Sequence, residues 1–369
     1  MYLSWMLAPV SMDKIISPAL ERNLIRFRRQ IISLLILAPV LPVVMAAAAC
    51  LGSVNVPFGH TIGIIFSKLL FFLDFSNYSW TEPQSVIIFD VRLPRIVMAA
   101  LCGAALAIAG ATYQGLFRNP LADPYLIGVS QGAAFGAVLA IFLPVSWSAF
   151  SVWMVPVFAF SGALFVTFLV YRISITGNVL PTATLILAGI ALGAFFAAGV
   201  SYIMSIAGHK TGNMVLWLMG SFNNVLWNEV RVTFPIILAG LFVLILFGRS
   251  LNVMQLGDEQ AKQLGLNVER DKKILLAVST IMVAAAVSFV GIIGFVGIII
   301  PHAARLIWGP DYRFLLPLSV LLGAVFMVTT DIAARVLFAP AEIPIGVITA
   351  VCGAPFFLYL LRKKMKSIF

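Results

Sequence analysis

A succession of apolar runs, each about 18–25 residues long, constrains this chain more than any other feature. As a helix, a run of that length crosses the roughly 30 Å hydrocarbon layer of a bilayer. In lipid only helices and closed barrels satisfy their backbone polar groups, and these runs lack the period-two alternation of barrel strands. Composition agrees: 62% of the residues are hydrophobic, 10% are charged and the mean hydropathy is +1.06. Soluble domains sit near about 45–50% apolar and about 25% charged. The expected fold class is an all-α polytopic membrane protein with about ten transmembrane helices.

The spans are expected near 31–51, 94–115, 126–143, 152–171, 181–206, 231–248, 273–292, 294–308, 314–337 and 345–361. The run 273–308 is the hardest to divide, because Gly291, Gly294 and Gly297 interrupt it and Pro301 follows. The chain thus divides into a basic leader, 1–30, and a transmembrane domain, 31–362, with a polar loop at 249–273 inside it. Ten crossings place both termini on one side. Eighteen of the 24 Lys and Arg then share that side, among them Arg26, Arg28, Arg29, Arg118, Arg249, Lys272, Lys273 and Arg362. The positive-inside rule makes this face cytoplasmic. It holds eight of the 14 acids, so the whole net charge of +10 falls there and the outer side is neutral. The basic excess is a topology signal, and nucleic-acid binding is unnecessary to explain it.

The outer segment 52–91 is long for a connection. Within it Thr61–Phe75 is mostly apolar but too short to span, which suits an interfacial or partly embedded helix. Cys50, Cys102 and Cys352 sit in or beside apolar runs, have no metal-ligand spacing and are read as small packing residues. Small residues crowd two spans, at Gly103–Ala111 and Gly189–Gly199. Close helix packing accounts for them most simply, and lining a wide path for a bulky solute is the alternative. In the loop 249–273, Asp258, Glu259, Lys262 and Glu269 interrupt a pattern of Leu251, Met254, Leu256, Ala261 and Leu264. This predicts one or two short amphipathic helices broken at Gly257 and Gly265, and the mixed charge suits docking on a protein rather than on lipid.

No nucleotide-binding loop is present. Gly208–Gly212 has the wrong upstream spacing and falls on the outer side, so any ATP and Mg must be bound by a separate subunit. The three histidines, His60, His209 and His302, are scattered and no catalytic or metal-binding motif contains them. Ionisable residues are nearly absent from the span centres. Asp331 and Arg335, one turn apart, form a local pair, and the lack of midplane carboxylates argues against a proton-coupled carrier.

The most informative stretch is Asp90–Gly136. It opens Asp90-Val91-Arg92-Leu93-Pro94-Arg95 and passes through a Gly/Ala-rich span. It then reads Tyr113-Gln114-Gly115-Leu116-Phe117-Arg118-Asn119-Pro120-Leu121-Ala122-Asp123-Pro124 and ends with Gly128-Val129-Ser130-Gln131-Gly132-Ala133. Arg92 and Arg95 read as two outward cations at a helix start, which the helix dipole disfavours. Phospholipid headgroups or an anionic partner would offset that. Asn119-Pro120 and Asp123-Pro124 each break helix, predicting a rigid polar elbow at the cytoplasmic mouth.

At these residues the chain resembles the FecCD family, the permeases of ATP-binding cassette (ABC) importers for ferric siderophores, haem and vitamin B12. The likeness continues through Pro181–Gly193, Leu256–Leu266, Gly294–Arg305 and Ala341–Pro355, in order, over roughly residues 90–362. It implies a type II ABC importer permease fold in the cell membrane of a prokaryote. It further implies a dimer with a second copy or a paralogue, the solute path on the dimer axis, two ATPase subunits inside and a substrate-binding protein outside. The permease itself performs no bond chemistry, binds no cofactor or metal, and touches membrane lipid but no nucleic acid. By the same resemblance Arg92, Arg95 and Arg335 match the arginines that meet acids on the binding protein. Asn119 and Leu121 match a cytoplasmic gate, with Thr182 in a second layer. Where the vitamin B12 importer has a serine next to that threonine, this chain has Ala183. The loop Gly257, Asp258, Glu259, Ala261, Leu264 and Gly265 matches the coupling loop seated in a cleft of the ATPase. The expected solute is an iron chelate (siderophore or haem), with cobalamin as the alternative. An ATPase-independent secondary carrier and an intramembrane enzyme are the rivals from other classes.

Overall fold

The computed structural model describes residues 18–52, 54, 56–69, 80–143, 151–177 and 179–365. Most of the leader, 1–17, and the second part of Thr61–Phe75 therefore lie outside the described residues. Among the described residues there is no β-strand, only an isolated antiparallel bridge between Thr176 and Val179.

The helices run, in chain order, α1 Pro18–Cys50, α2 Phe58–Leu69, α3 Glu82–Val86 and α4 Leu93–Leu116, then α5 Val129–Phe142, α6 Ser151–Ser174, α7 Thr182–Ile206 and α8 Thr211–Leu218. They continue with α9 Trp227–Leu246, α10 Gly248–Met254, α11 Asp258–Gln263, α12 Val268–Val290, α13 Val296–Trp308, α14 Tyr312–Val336 and α15 Ile345–Met365. Among the described residues, seven stretches are long and apolar enough to cross a membrane, and α5, α13 and the part Ile345–Tyr359 of α15 are shorter apolar helices. Together they account for the ten expected spans. The difficult run divides at Gly291–Phe295, where Gly291 and Phe295 both take positive φ. At about 1.5 Å per residue, α13 is only about 20 Å long, too short for the whole layer, so irregular backbone sits at membrane depth. Such backbone persists only where protein partners satisfy it. Here Val290 O accepts from Ser221 N–H at 2.7 Å, and Ile293 O accepts from the Tyr125 hydroxyl at 2.9 Å.

One difference concerns the second span. The apolar run suggests a start at residue 94, but continuous helix extends from Glu82 to Leu116. Between α3 and α4 it widens into a π-helical turn, Ile87–Arg92, closed by Leu93 N–H on Ile88 O. Pro94 has no N–H to offer, and its ring would meet the carbonyl four residues back; one wider turn accommodates both.

Helix α4 is the axle of the bundle. The most apolar window of its span is 89% buried, against 28% for α7. Close approach explains its composition: a methyl at Gly103 would overlap the Gly323 carbonyl of α14, and one at Gly110 the Gly297 carbonyl of α13. The small residues of α7 divide instead. A methyl at Gly189 would overlap the Leu126 carbonyl, whereas Ala191, Ala197 and Ala198 face outward with Leu187, Phe195 and Tyr202. The packing explanation thus holds for α4, and α7 keeps one face uncovered. Of the three free cysteines, Cys102 is buried, Cys50 half-buried and Cys352 exposed.

Candidate functional site: two ionic clusters at opposite ends of the bundle

At the end of the bundle opposite the loop 249–273, three arginines converge. Arg95 Nε lies 2.8 Å from Asp331 Oδ1, and its Nη1 lies 2.9 Å from Glu342. Arg335 Nε lies 3.0 Å from the other oxygen of Asp331. Arg92 donates to the carbonyls of Ala49 (2.7 Å), Cys50 (3.1 Å) and Val54, and Arg335 donates to those of Ala48 (3.0 Å) and Leu51 (2.7 Å). Those carbonyls belong to the last turn of α1 and the residues just after it, where a helix leaves its acceptors unused and carries partial negative charge. Two guanidinium groups therefore cap α1 from the side.

This corrects the reading of Arg92 and Arg95 as outward cations at a helix start. Each of Arg92, Arg95 and Arg335 is no more than 7% exposed, and Asp331 is fully buried. Asp331 and Glu342 of the same chain compensate Arg95, and Asp331 compensates Arg335, whereas Arg92 is held by backbone carbonyls; Arg92 and Arg95 lie inside a continuous helix whose first residue is Glu82. Glu342, in the segment before α15, is the half-exposed member, with 29% of its side chain accessible.

At the other end, the polar loop forms the two short helices expected of it. Gly257 and Gly265 break them with φ of 119° and 86°, conformations only glycine adopts freely. Ala261 is fully buried, while Leu256 and Leu264 are 61% and 65% exposed, and Glu259 is also exposed. The loop is anchored by one face and offers an apolar, acid-flanked ridge on the other. Gln255 donates to Gly115 O at the end of α4 (2.9 Å), and Asn252 donates to Asp311 at the start of α14 (2.7 Å).

The elbow after α4 is a tight polar turn. Asn119 accepts from Leu121 N–H at 3.0 Å, and its own N–H reaches Gln114 O at 3.1 Å. Arg118 takes the left-handed conformation, φ 50°. Asp123 caps the 3₁₀ turn Pro124–Ile127 by accepting from Tyr125 N–H at 2.8 Å. Burial pushes its carboxyl up to about 6, and that hydrogen bond opposes the shift. Asn119 is exposed and Leu121 half-buried; Thr182 is half-buried at the first residue of α7, beside exposed Ala183. The elbow brings Asn119 and Leu121 into one turn, and Thr182 begins a different helix. Glu342, Lys272 and Gln255 are contacts that sequence reasoning missed. Charge type marked the first two as candidates, but nothing in the local spacing pairs them.

Among the described residues, a helical apolar bundle has ion clusters at its ends, no Asp, Glu, Lys or Arg near mid-span and an exposed apolar ridge at one end. These features suit the membrane-spanning subunit of a transporter. Comparison with known proteins makes the class specific. The sequence profile of the FecCD transport family matches residues 40–363, and the chain belongs to that family. It is 48% identical over 283 residues to the cobalamin import system permease protein BtuC of Halobacterium salinarum, covering 77% of this chain and 75% of that protein. It is 40% identical to the hemin transport system permease protein HmuU of Yersinia pestis, covering 79% and 87%. A solved inward-facing metal-chelate type ABC transporter superposes with a TM-score of 0.75 at 34% identity, covering 89% of this chain and 98% of the other. The chain is a permease subunit of an ABC importer, works with an ATPase and a substrate-binding partner, and does not itself hydrolyse ATP.

Proposed function

We infer that this permease carries an iron chelate, a siderophore or haem, delivered from outside by a substrate-binding protein. The observation that supports this most is the pairing of a chelate-importer family with a bundle that, among the described residues, places no Asp, Glu, Lys or Arg near mid-span. A large solute passing neutral walls is released as readily as it enters. Cobalamin is the second reading, favoured by the 48% identity to the Halobacterium salinarum cobalamin permease. Both termini and the loop Gly257, Asp258, Glu259, Ala261, Leu264 and Gly265 face the cytoplasm, the loop in contact with the ATPase through Leu256 and Leu264. Two copies, or this chain and a paralogue, meet along the uncovered face of α7, and two ATPases, which bind the ATP and Mg, serve the pair. Asn119, Leu121 and Thr182 close the cytoplasmic end by alternating access. Arg92, Arg95 and Arg335 shape the outer docking surface, where partly exposed Glu342 leaves Arg95 within reach of a partner's carboxylate.

The test is uptake into proteoliposomes containing the permease, its ATPase and its binding protein, offered haemin, a ferric hydroxamate and cyanocobalamin in turn. ATP-dependent accumulation of either iron chelate is expected. Accumulation of cyanocobalamin alone selects the second reading. Uptake by the permease without any ATPase would overturn the assignment.

A further inference from the structure

The ion pairs around Lys272 tie the coupling loop to both parts of the proposed gate. Lys272 is 3% exposed, and its Nζ lies 2.5 Å from Asp258 Oδ2 and 4.0 Å from Glu269 Oε1. Asp258, the first residue of α11, also lies 3.4 Å from Arg118 through its other oxygen, and Arg118 directly precedes Asn119. Glu269 accepts from Leu180 N–H at 2.9 Å with its second oxygen, and Leu180 is two residues before Thr182. One connected path thus runs Asn119–Arg118–Asp258–Lys272–Glu269–Leu180–Thr182. It joins the elbow after α4, the coupling helix, the foot of α12 and the segment that starts α7. A buried lysine costs desolvation that an apolar side chain of similar volume would avoid, so stability alone is a weak reason for its presence. Fixing the register of moving parts is the better-attested use of such a group.

We propose that Asp258, Lys272 and Glu269 form a mechanical relay through which movement of the coupling loop displaces Asn119–Leu121 and Thr182 together. Lys272 and Glu269 are its positioning residues, and they touch neither solute nor nucleotide. The relay rests on the reading of Asn119, Leu121 and Thr182 as the gate and of the loop as the ATPase contact. Displacement of Asp258 pulls Arg118 on one side and Lys272 on the other. Glu269 passes the second pull to the Leu180 backbone, so the two layers open in step.

The experiment measures solute taken up per ATP hydrolysed by the complete complex in proteoliposomes, using whichever of haemin, a ferric hydroxamate or cyanocobalamin the unmodified complex accumulates. Glu269→Ala and Lys272→Met should lower that ratio about tenfold, the size of a modest coupling free energy, with ATP hydrolysis within about twofold of the unmodified complex. Glu269→Gln keeps an oxygen for Leu180 N–H and should recover most of the ratio. A purely structural role would lower thermal stability, or uptake and hydrolysis in proportion, and leave the ratio unchanged; that result overturns the relay. Because Lys272→Met risks misfolding, the Glu269→Ala and Glu269→Gln pair is decisive by itself. If the unmodified complex hydrolyses ATP yet accumulates none of the three solutes, the transport reading fails and the relay falls with it.

Discussion

Replacing Asp331 with Asn isolates the central contact of the arginine cluster. Asp331 is fully buried and its two oxygens serve Arg95 at 2.8 Å and Arg335 at 3.0 Å. The amide keeps the shape and one acceptor but removes the charge, leaving two nearly buried guanidinium groups to share Glu342. Breaking a buried pair by deleting one partner costs about 3–5 kcal/mol, because the charge left behind is uncompensated. Arg335 retains its bonds to Ala48 O and Leu51 O, and Arg95 retains Glu342, so the lower part of that range, about 3 kcal/mol, is expected. The assay is the unfolding free energy of purified protein in mixed micelles under increasing denaturing detergent. Asp331→Asn with Arg335→Met removes one charge of each sign and should recover part of the loss, as coupled neighbours do. Arg335→Met alone should be nearly as damaging as Asp331→Asn, since it also uncaps α1. A loss below about 1 kcal/mol for Asp331→Asn, the range of exposed pairs, would refute the claim that the cluster is a desolvated clasp.

Four further outcomes follow from the geometry. Gly110→Leu should prevent recovery of folded protein from membranes, because its side chain would run into the Gly297 backbone, while Gly59→Ala, which meets open space, should be neutral within about 0.5 kcal/mol. Leu256→Asp with Leu264→Asp should abolish co-purification of the ATPase and leave the melting of the permease unchanged. The folded state raises the Asp123 carboxyl from its ordinary value of 3.8 to about 6, so the folded chain holds an extra proton between those values. Stability should therefore fall as pH rises from about 4 to about 6, and Asp123→Asn should flatten that slope in pH-stepped unfolding. Charge reversal at Arg92 and Arg95 to Glu should eliminate uptake driven by the binding protein. Unchanged uptake in that double variant counts against an outer docking role for the cluster.

Much of the architecture was legible because a bilayer enforces it. Run length gives the spans, and Gly257 and Gly265 punctuate the polar loop 249–273 where the chain needs positive φ. The contacts that were not legible are long-range. Arg95 meets Asp331 and Glu342 across 236 and 247 residues of sequence, and no local pattern pairs them. The π-helical turn was hidden for a different reason. Asp90 and Arg92 interrupt the hydropathy that marks a span, so the helix looked as if it started at Pro94, and the two arginines looked like exposed cations at its tip. Had the helix been drawn back to Glu82, Arg92 and Arg95 would have fallen within it and required partners in the interior. The two ionic clusters differ physically. At the end away from the loop, Arg92 and Arg335 cap the spent carbonyls of α1 and a fully buried aspartate holds Arg95 and Arg335, an arrangement suited to staying still. Charges at the loop end pair through Asp258 and Arg118, whose side chains are 33% and 44% exposed, beside a nearly buried Lys272. One end of the bundle is pinned by buried ions, and the other keeps part of its ionic cluster open to solvent.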